Sequence, residues 1–276
     1  MTCTKTFKSQ VKTMVEPRRV PTKAQFQTDA FFSALMHDAK RVLERVPPPE
    51  IGKLGNSKIH AQGTKALTLV YSGTAYHDCY PTAGCNVCYA QGFRYLGASA
   101  KRHGVSWIYS YLARHQVAVL KEIILSEIKS ALIKARRLGL RLAVRIHEAG
   151  DFFSIEQITM WQEIAEQNPD VVFWAYTRSD LVPQLTQALR SLADVGNVHL
   201  RASFDPTMSA DGITLSRNGL PGAIVVGKKH NGKRSGPERV VGTVNCPEQT
   251  TNGEIGCADC GLCWHASRPT IRFWKH

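Results

Sequence analysis

Over residues 28–46 the apolar positions Phe31, Phe32, Leu35, Met36, Ala39, Val42 and Leu43 recur at helical spacing, which predicts an amphipathic helix. Pro47-Pro48-Pro49 ends it, because a residue before proline is pushed out of helical backbone. The polar stretch over 53–60 predicts a loop, and the apolar run over 67–71 a strand. Over 115–138 an apolar stripe of Val117, Leu120, Ile124, Ile128, Ala131, Leu132 and Ala135 predicts one long helix closed by Gly139. The pattern then alternates. Strands are expected over 141–146, 171–176 and 198–203, and shorter ones over 223–226 and 239–243. Helices are expected over 154–167, opened by a Ser154–Gln157 capping box, and over 179–193.

Strand–helix alternation with short loops makes parallel units. The predicted fold class is α/β, a partial or complete β/α barrel, with an open doubly wound sheet as its competitor. The expected organisation is a basic arm and helix over 1–50, a barrel-like domain over 51–245, and a Cys-rich tail over 246–276. No secretory signal opens the chain, and no stretch approaches the ~20 apolar residues of a spanning helix. A cytoplasmic protein with no membrane contact is expected.

Charge adds a partner. The formal net charge is +13, from 35 Lys and Arg against 22 Asp and Glu, and such an excess favours nucleic acid. Arg94, Lys101, Arg102 and Arg114 are interleaved with Phe93, Tyr95, Trp107, Tyr109 and Tyr111. That mixture suits phosphate neutralisation and base stacking. It equally describes an amphipathic segment whose aromatics face the core.

Seven of the eight cysteines fall into two clusters, which points to metal in a reducing compartment rather than to disulfides. Cys79, Cys85 and Cys88, spaced C-x5-C-x2-C, follow the first expected strand. Iron–sulfur cubes and tetrahedral zinc both take four ligands, so this loop leaves room for a fourth residue or a small molecule. Cys246, Cys257, Cys260 and Cys263 make a complete set near the end of the chain. Their C-x2-C-x2-C run suits an iron–sulfur cluster; zinc is the alternative, with His265 as a further ligand.

The expected strand ends are polar. They carry His147, Glu148, Gly150 and Asp151, then Thr177 and Arg178, then Ser203 and Asp205. In barrels, catalytic and binding groups collect at those ends. His147, Glu148, Asp151 and Asp205 are therefore the candidate catalytic residues. Asn56, Ser57, Lys58, Gly150, Thr177, Arg178 and Ser203 are the candidate cofactor contacts. Singly, each also has a structural reading as a helix cap, a turn or a core histidine.

Asn56-Ser57-Lys58, the three-cysteine loop through Tyr89-Ala90, Val144 to Phe152, Ala175 to Ser179 and the Cys-rich tail together resemble gene product 88, a family of phages and mobile elements. The resemblance spans roughly residues 50–265. The layout also looks like the radical S-adenosylmethionine superfamily. There, three cysteines after the first barrel strand hold a [4Fe-4S] cluster whose open iron binds S-adenosylmethionine. Cys79, Cys85 and Cys88 match those ligands, with C-x5-C-x2-C in place of the usual C-x3-C-x2-C. The resemblance implies that Gly150 and Asp151 lie near the methionine end, and that the four-cysteine tail holds an auxiliary cluster.

The leading expectation is an iron–sulfur, radical S-adenosylmethionine-like enzyme acting on nucleic acid or a nucleic-acid-bound target. A zinc-containing barrel that exchanges nucleobases, as queuine-type transferases do, is the second, with Asp151 and Asp205 as nucleophile and base. A non-enzymatic nucleic-acid-binding protein stapled by metal is the third.

Overall fold

Thr28 opens the first long helix: its hydroxyl accepts the Phe31 amide at 3.2 Å. Helix α1 runs Asp29–Leu43 and buries Leu35, Ala39 and Val42. The structure, a computed structural model, describes residues 23–45, 50–54, 65–80, 100–204, 216–230, 233–234, 243–251, 254–264 and 269–275. The helix expected over 115–138 is α3 (Val117–Arg137), and a further helix, α2 (Ala100–His115), precedes it where a basic–aromatic segment was expected. They part at Gln116, whose backbone is not helical (φ −148°, ψ 52°). Both bury apolar residues in one core, so the stripe carries through the break. Gly139 follows α3 in the left-handed region (φ +66°), which a side chain resists.

Ser154 caps α4 (Ile155–Glu166) by accepting the Gln157 amide. The Gln157 side chain reaches back to the Phe153 amide at 3.1 Å, one residue before the expected box partner. A 3-10 turn over Ser179–Leu181 precedes α5 (Pro183–Asp194). Pro183 starts α5 because a missing N–H costs nothing at a helix's first position.

The strands are β1 (Lys53–Leu54), β2 (Ala66–Val70), β3 (Arg141–Arg145), β4 (Val172–Thr177), β5 (Val198–Phe204), β6 (Ser216–Arg217), β7 (Leu220–His230), β8 (Lys233–Arg234), β9 (Thr243–Asn245) and β10 (Thr270–Lys275). The main order is β1-β2-β3-β4-β5-β7-β10-β9. Every pair from β2 to β9 along it is parallel, and β1 joins antiparallel. The fold is thus mixed α/β on a mostly parallel sheet. Among the described residues no pairing joins β1 or β2 to β9, so the sheet is open rather than a complete barrel. An Asn218-Gly219 turn, both residues at positive φ, links β6 to β7.

Alternation along the strands gives the sheet two different faces. Leu67, Leu69, Leu142, Val144, Phe173, Ala175 and Leu200 join residues of α1 to α5 in the main core, with Trp161 at its centre. Each large side chain buried there contributes about 1.5–3 kcal/mol. Ala66, Val70, Ala143 and Trp174 face the other way and pack against Ala258, Cys257, Cys263 and Trp264. Helices therefore cover one face, and the Cys-rich segment covers the other. Among the described residues no helix is long and apolar enough to cross a membrane.

Candidate functional site

Two sites arise from this layout, one at the carboxyl ends of β2 to β4 and one on the face opposite the helices. At the first, backbone bonds lace the loops after β2 and β3 together. The Gly73 amide donates to Ala149 O at 2.8 Å, and the Asp151 amide to Asp78 O at 2.7 Å. Gly150 is needed for this approach. It sits at φ +80°, and a Cβ there would lie 3.0 Å from Gly73 Cα. The Asp151 carboxylate accepts the Phe152 amide at 2.8 Å, Thr177 Oγ1 at 2.7 Å and the Arg178 amide at 2.7 Å. Burial pushes its carboxyl up to about 6, against those donors, which pull it down. Asp151 thus ties the ends of β3 and β4.

Asp78 is the counterpart on the β2 loop. It accepts the Thr74 amide, Ser110 Oγ and an ion-pair contact from Arg114 Nη1. Arg114 also donates to His77 O at 3.0 Å and lies over the Phe153 ring at 3.9 Å. Cys79 follows directly, its amide bonded to Tyr76 O at 3.3 Å. The structure therefore brings Cys79, Gly150, Asp151, Thr177 and the Arg178 backbone to one end of the sheet.

Other expected residues lie elsewhere. His147 is 3% exposed, in the core on the helix side. Tyr109 Oη accepts from Trp161 Nε1 at 3.0 Å and Gln157 Nε2 at 3.1 Å. Its own proton is then left for His147 Nε2 at 3.1 Å, which puts the imidazole proton on Nδ1. That atom is buried without a partner. Burial, then Arg145, lowers the ring to about 3, so His147 is a neutral core group. Glu148 is partly buried, 3.9 Å from Lys53 Nζ. Ser203 is half-buried on β5. Asn56, Ser57, Lys58, Cys85, Cys88, Arg94, Asp205 and His265 lie outside the described residues, as do the side chains of Lys101 and Arg102. Of the basic–aromatic stretch, Tyr109 is fully buried, Trp107 and Tyr111 pack on the core, and Arg114 holds Asp78. Those four serve the interior.

The second site is the cysteine set. Cys246 follows β9, its amide bonded to Arg272 O at 2.9 Å. A single helical turn carries Cys257 and Cys260, and Gly261 (φ +62°) reverses the chain toward Cys263. All four are thiols, not disulfides. With Pro247, Glu248, Leu262 and Ile271 they line one small pocket. Backbone amides of Glu248 and Gln249 point at the Cys246 sulfur, and that of Leu262 at Cys260. Tyr176 Oη donates to Cys263 Sγ at 2.6 Å. Arg201, 2% exposed, donates to the carbonyls of Leu262, Cys263 and Pro269, fixing the segment to β5.

Burial, aided for Cys246 and Cys257 by the neighbouring thiols, pushes Cys246 up to about 11 and Cys257 up to about 12, and raises Cys260 and Cys263. Four such thiols ionise together only beside a cation. Sulfur donors in one cavity, with N–H and O–H groups aimed at them, suit a soft metal. Among the described residues no three His, Cys, Asp or Glu side chains are gathered closely enough for a single ion.

The alternation that names Arg145, Tyr176 and Arg201 as residues facing away from the helices was readable in the strands. What lay against them was not, because the Cys-rich segment arrives from far along the chain. The half-buried carboxylate of Glu127 and the buried ones of Asp78 and Asp180 were also missed. Glu127 accepts the Ile51 and Gly52 amides and Tyr71 Oη, and Asp180 pairs with Arg217. A charged residue within a helical stripe was the only signal for the first.

A family model described as Gene product 88 matches residues 49–266. The Gene 88 protein of Mycobacterium phage L5 is 30% identical over 231 residues, covering 80% of this chain and 90% of that protein. The Gene 88 protein of Mycobacterium phage D29 is 30% identical over 134 residues, covering 46% of this chain and 52% of its own. No solved structure matches. On the extent of the family match and the phage L5 relative, the chain belongs to the gene product 88 family.

Proposed function

We propose that this protein is an iron–sulfur enzyme of radical S-adenosylmethionine-like type, built on a partial β/α barrel. One observation carries the reading: the thiols of Cys246, Cys257, Cys260 and Cys263 line a single cavity against the sheet face that the helices leave open. A cluster attaches each thiolate to a different iron and so spans a cavity. A single zinc gathers its sulfurs ~2.3 Å from one point. Zinc held by the same four thiols is the competing reading.

Cys79, Cys85 and Cys88 would hold a second cluster at the strand ends. When bound there, such a group supplies one electron to a chelated S-adenosylmethionine. The chain's own residues then have distinct tasks. Asp78 and Arg114 brace the base of the loop that presents Cys79. Gly150 lets the β3 loop pass close beneath it. Asp151 holds the Thr177 hydroxyl and the Arg178 backbone, which fixes the adjoining rim. The substrate is read as nucleic acid from the net charge of +13.

The test is anaerobic reconstitution with iron and sulfide, then incubation with S-adenosylmethionine and dithionite. Formation of 5′-deoxyadenosine, lost in Cys85→Ala but retained in part by Cys257→Ala, is the expected result. An iron-loaded protein that neither binds nor cleaves S-adenosylmethionine contradicts the enzyme reading.

A further inference from the structure

We infer that Tyr176, with Arg145 behind it, is a tuning pair that raises the reduction potential of a cluster held by Cys263. This inference rests on the cluster reading of the four-cysteine cavity. The geometry is specific. Tyr176 stands on β4, facing away from the helices, and its hydroxyl donates to Cys263 Sγ at 2.6 Å. The ring is held edge-on by Phe273, with centroids 5.7 Å apart. Arg145, one strand away on β3, lies over the same ring with its guanidinium carbon 5.7 Å from the centroid. Its Nε donates to His147 O at 3.2 Å, which fixes the charge in place. Cys263 thus meets an O–H dipole, backed by a cation over the phenol ring.

Among the described residues, Cys263 Sγ is the phenol's hydrogen-bond partner. Phenylalanine would fill the same space against Phe273, and the core on the helix side does not include Tyr176. The chemistry is that of one electron. In a titration, dithionite gives one electron to the cluster. No bond breaks and no proton moves; the added negative charge spreads onto the ligand sulfurs. A hydrogen bond to sulfur and a nearby cation both stabilise the reduced form more than the oxidised one, so both raise the potential.

The experiment is a dithionite titration, followed by electron paramagnetic resonance, on the anaerobically loaded full chain. Cys85→Ala is the common background, so that only the C-terminal cluster is read. Tyr176→Phe is expected to keep its iron and shift the one-electron equilibrium about tenfold toward the oxidised form, about 59 mV lower. Arg145→Met should also lower the potential, and Arg145→Lys, which keeps the charge, should restore most of the loss. Full iron loading with an unchanged potential in Tyr176→Phe overturns the inference and leaves the cluster reading standing. A folded Tyr176→Phe that loads no iron also overturns it, making Tyr176 an assembly residue. Absence of iron in the background protein overturns both readings.

Discussion

Replacing Glu127 with Gln tests whether a half-buried carboxyl couples this fold to pH. Glu127 lies on α3, where its two oxygens take the Ile51 amide, the Gly52 amide at 2.8 Å and Tyr71 Oη at 2.9 Å. It therefore pins β1 and the end of β2 to the helix layer. Burial pushes its carboxyl from 4.5 up to about 7, against those three donors. A carboxyl raised in this way binds its proton more tightly in the folded protein than in the unfolded one. Its contribution is full below 4.5 and is lost as pH rises toward about 7. That displacement amounts to roughly 3 kcal/mol. Glutamine keeps one acceptor oxygen and loses the other, so one donor among three goes unmatched, at about 1–3 kcal/mol, independent of pH. Glu127→Gln should thus destabilise clearly at about pH 5 and approach the parent's stability at about pH 8. Urea unfolding of both proteins across that range reads the difference directly, because every other titrating group cancels. Parallel curves, with a gap constant within about 0.5 kcal/mol, would refute the reasoning.

Further substitutions probe the strand-end site and, with Tyr109, the core on the helix side. Arg114→Ala leaves Asp78 buried without its cation and should cost about 3–5 kcal/mol in urea unfolding; Asp78→Asn made together with it should recover part of that loss. Gly150→Ala places a side chain at φ +80° and crowds Gly73. A loss of about 1–3 kcal/mol is expected there, checked by the thermal midpoint. Tyr109→Phe strands the donors of Trp161 and Gln157 and frees His147 Nε2. It should cost about 2–4 kcal/mol in urea unfolding.

The alternating order was legible because Leu67, Val144 and Phe173 sit in short apolar runs between capped helices, and that pattern is local. Ser154 caps where the sequence placed it, since a hydroxyl capturing an amide three residues on needs nothing distant; Thr28, at the expected start of α1, caps in the same way. α2 was missed because its mixture of basic and aromatic residues, Trp107, Tyr109, Tyr111 and Arg114, fits a nucleic-acid-binding segment as well as a core-facing helix. β10 was missed because Thr270 to Lys275 falls within the expected Cys-rich tail, although Thr270, Ile271, Phe273 and Trp274 carry a strand signal; it pairs with both β7 and β9. Asn218-Gly219 was a readable hairpin signal that went unused. Of the site, Asp151 and the four C-terminal cysteines were visible as residue types. The pairings of Tyr176 with Cys263 and of Arg114 with Asp78 span 87 and 36 positions, beyond the reach of any local pattern.

The measurement that bears most directly on the central claim is the iron, acid-labile sulfide and zinc content of protein purified without oxygen, beside Cys257→Ala and Cys85→Ala. Iron and sulfide in equal amounts, with each variant losing a separate share, is the predicted result. A colourless protein carrying zinc and no iron, or no metal at all, would contradict it.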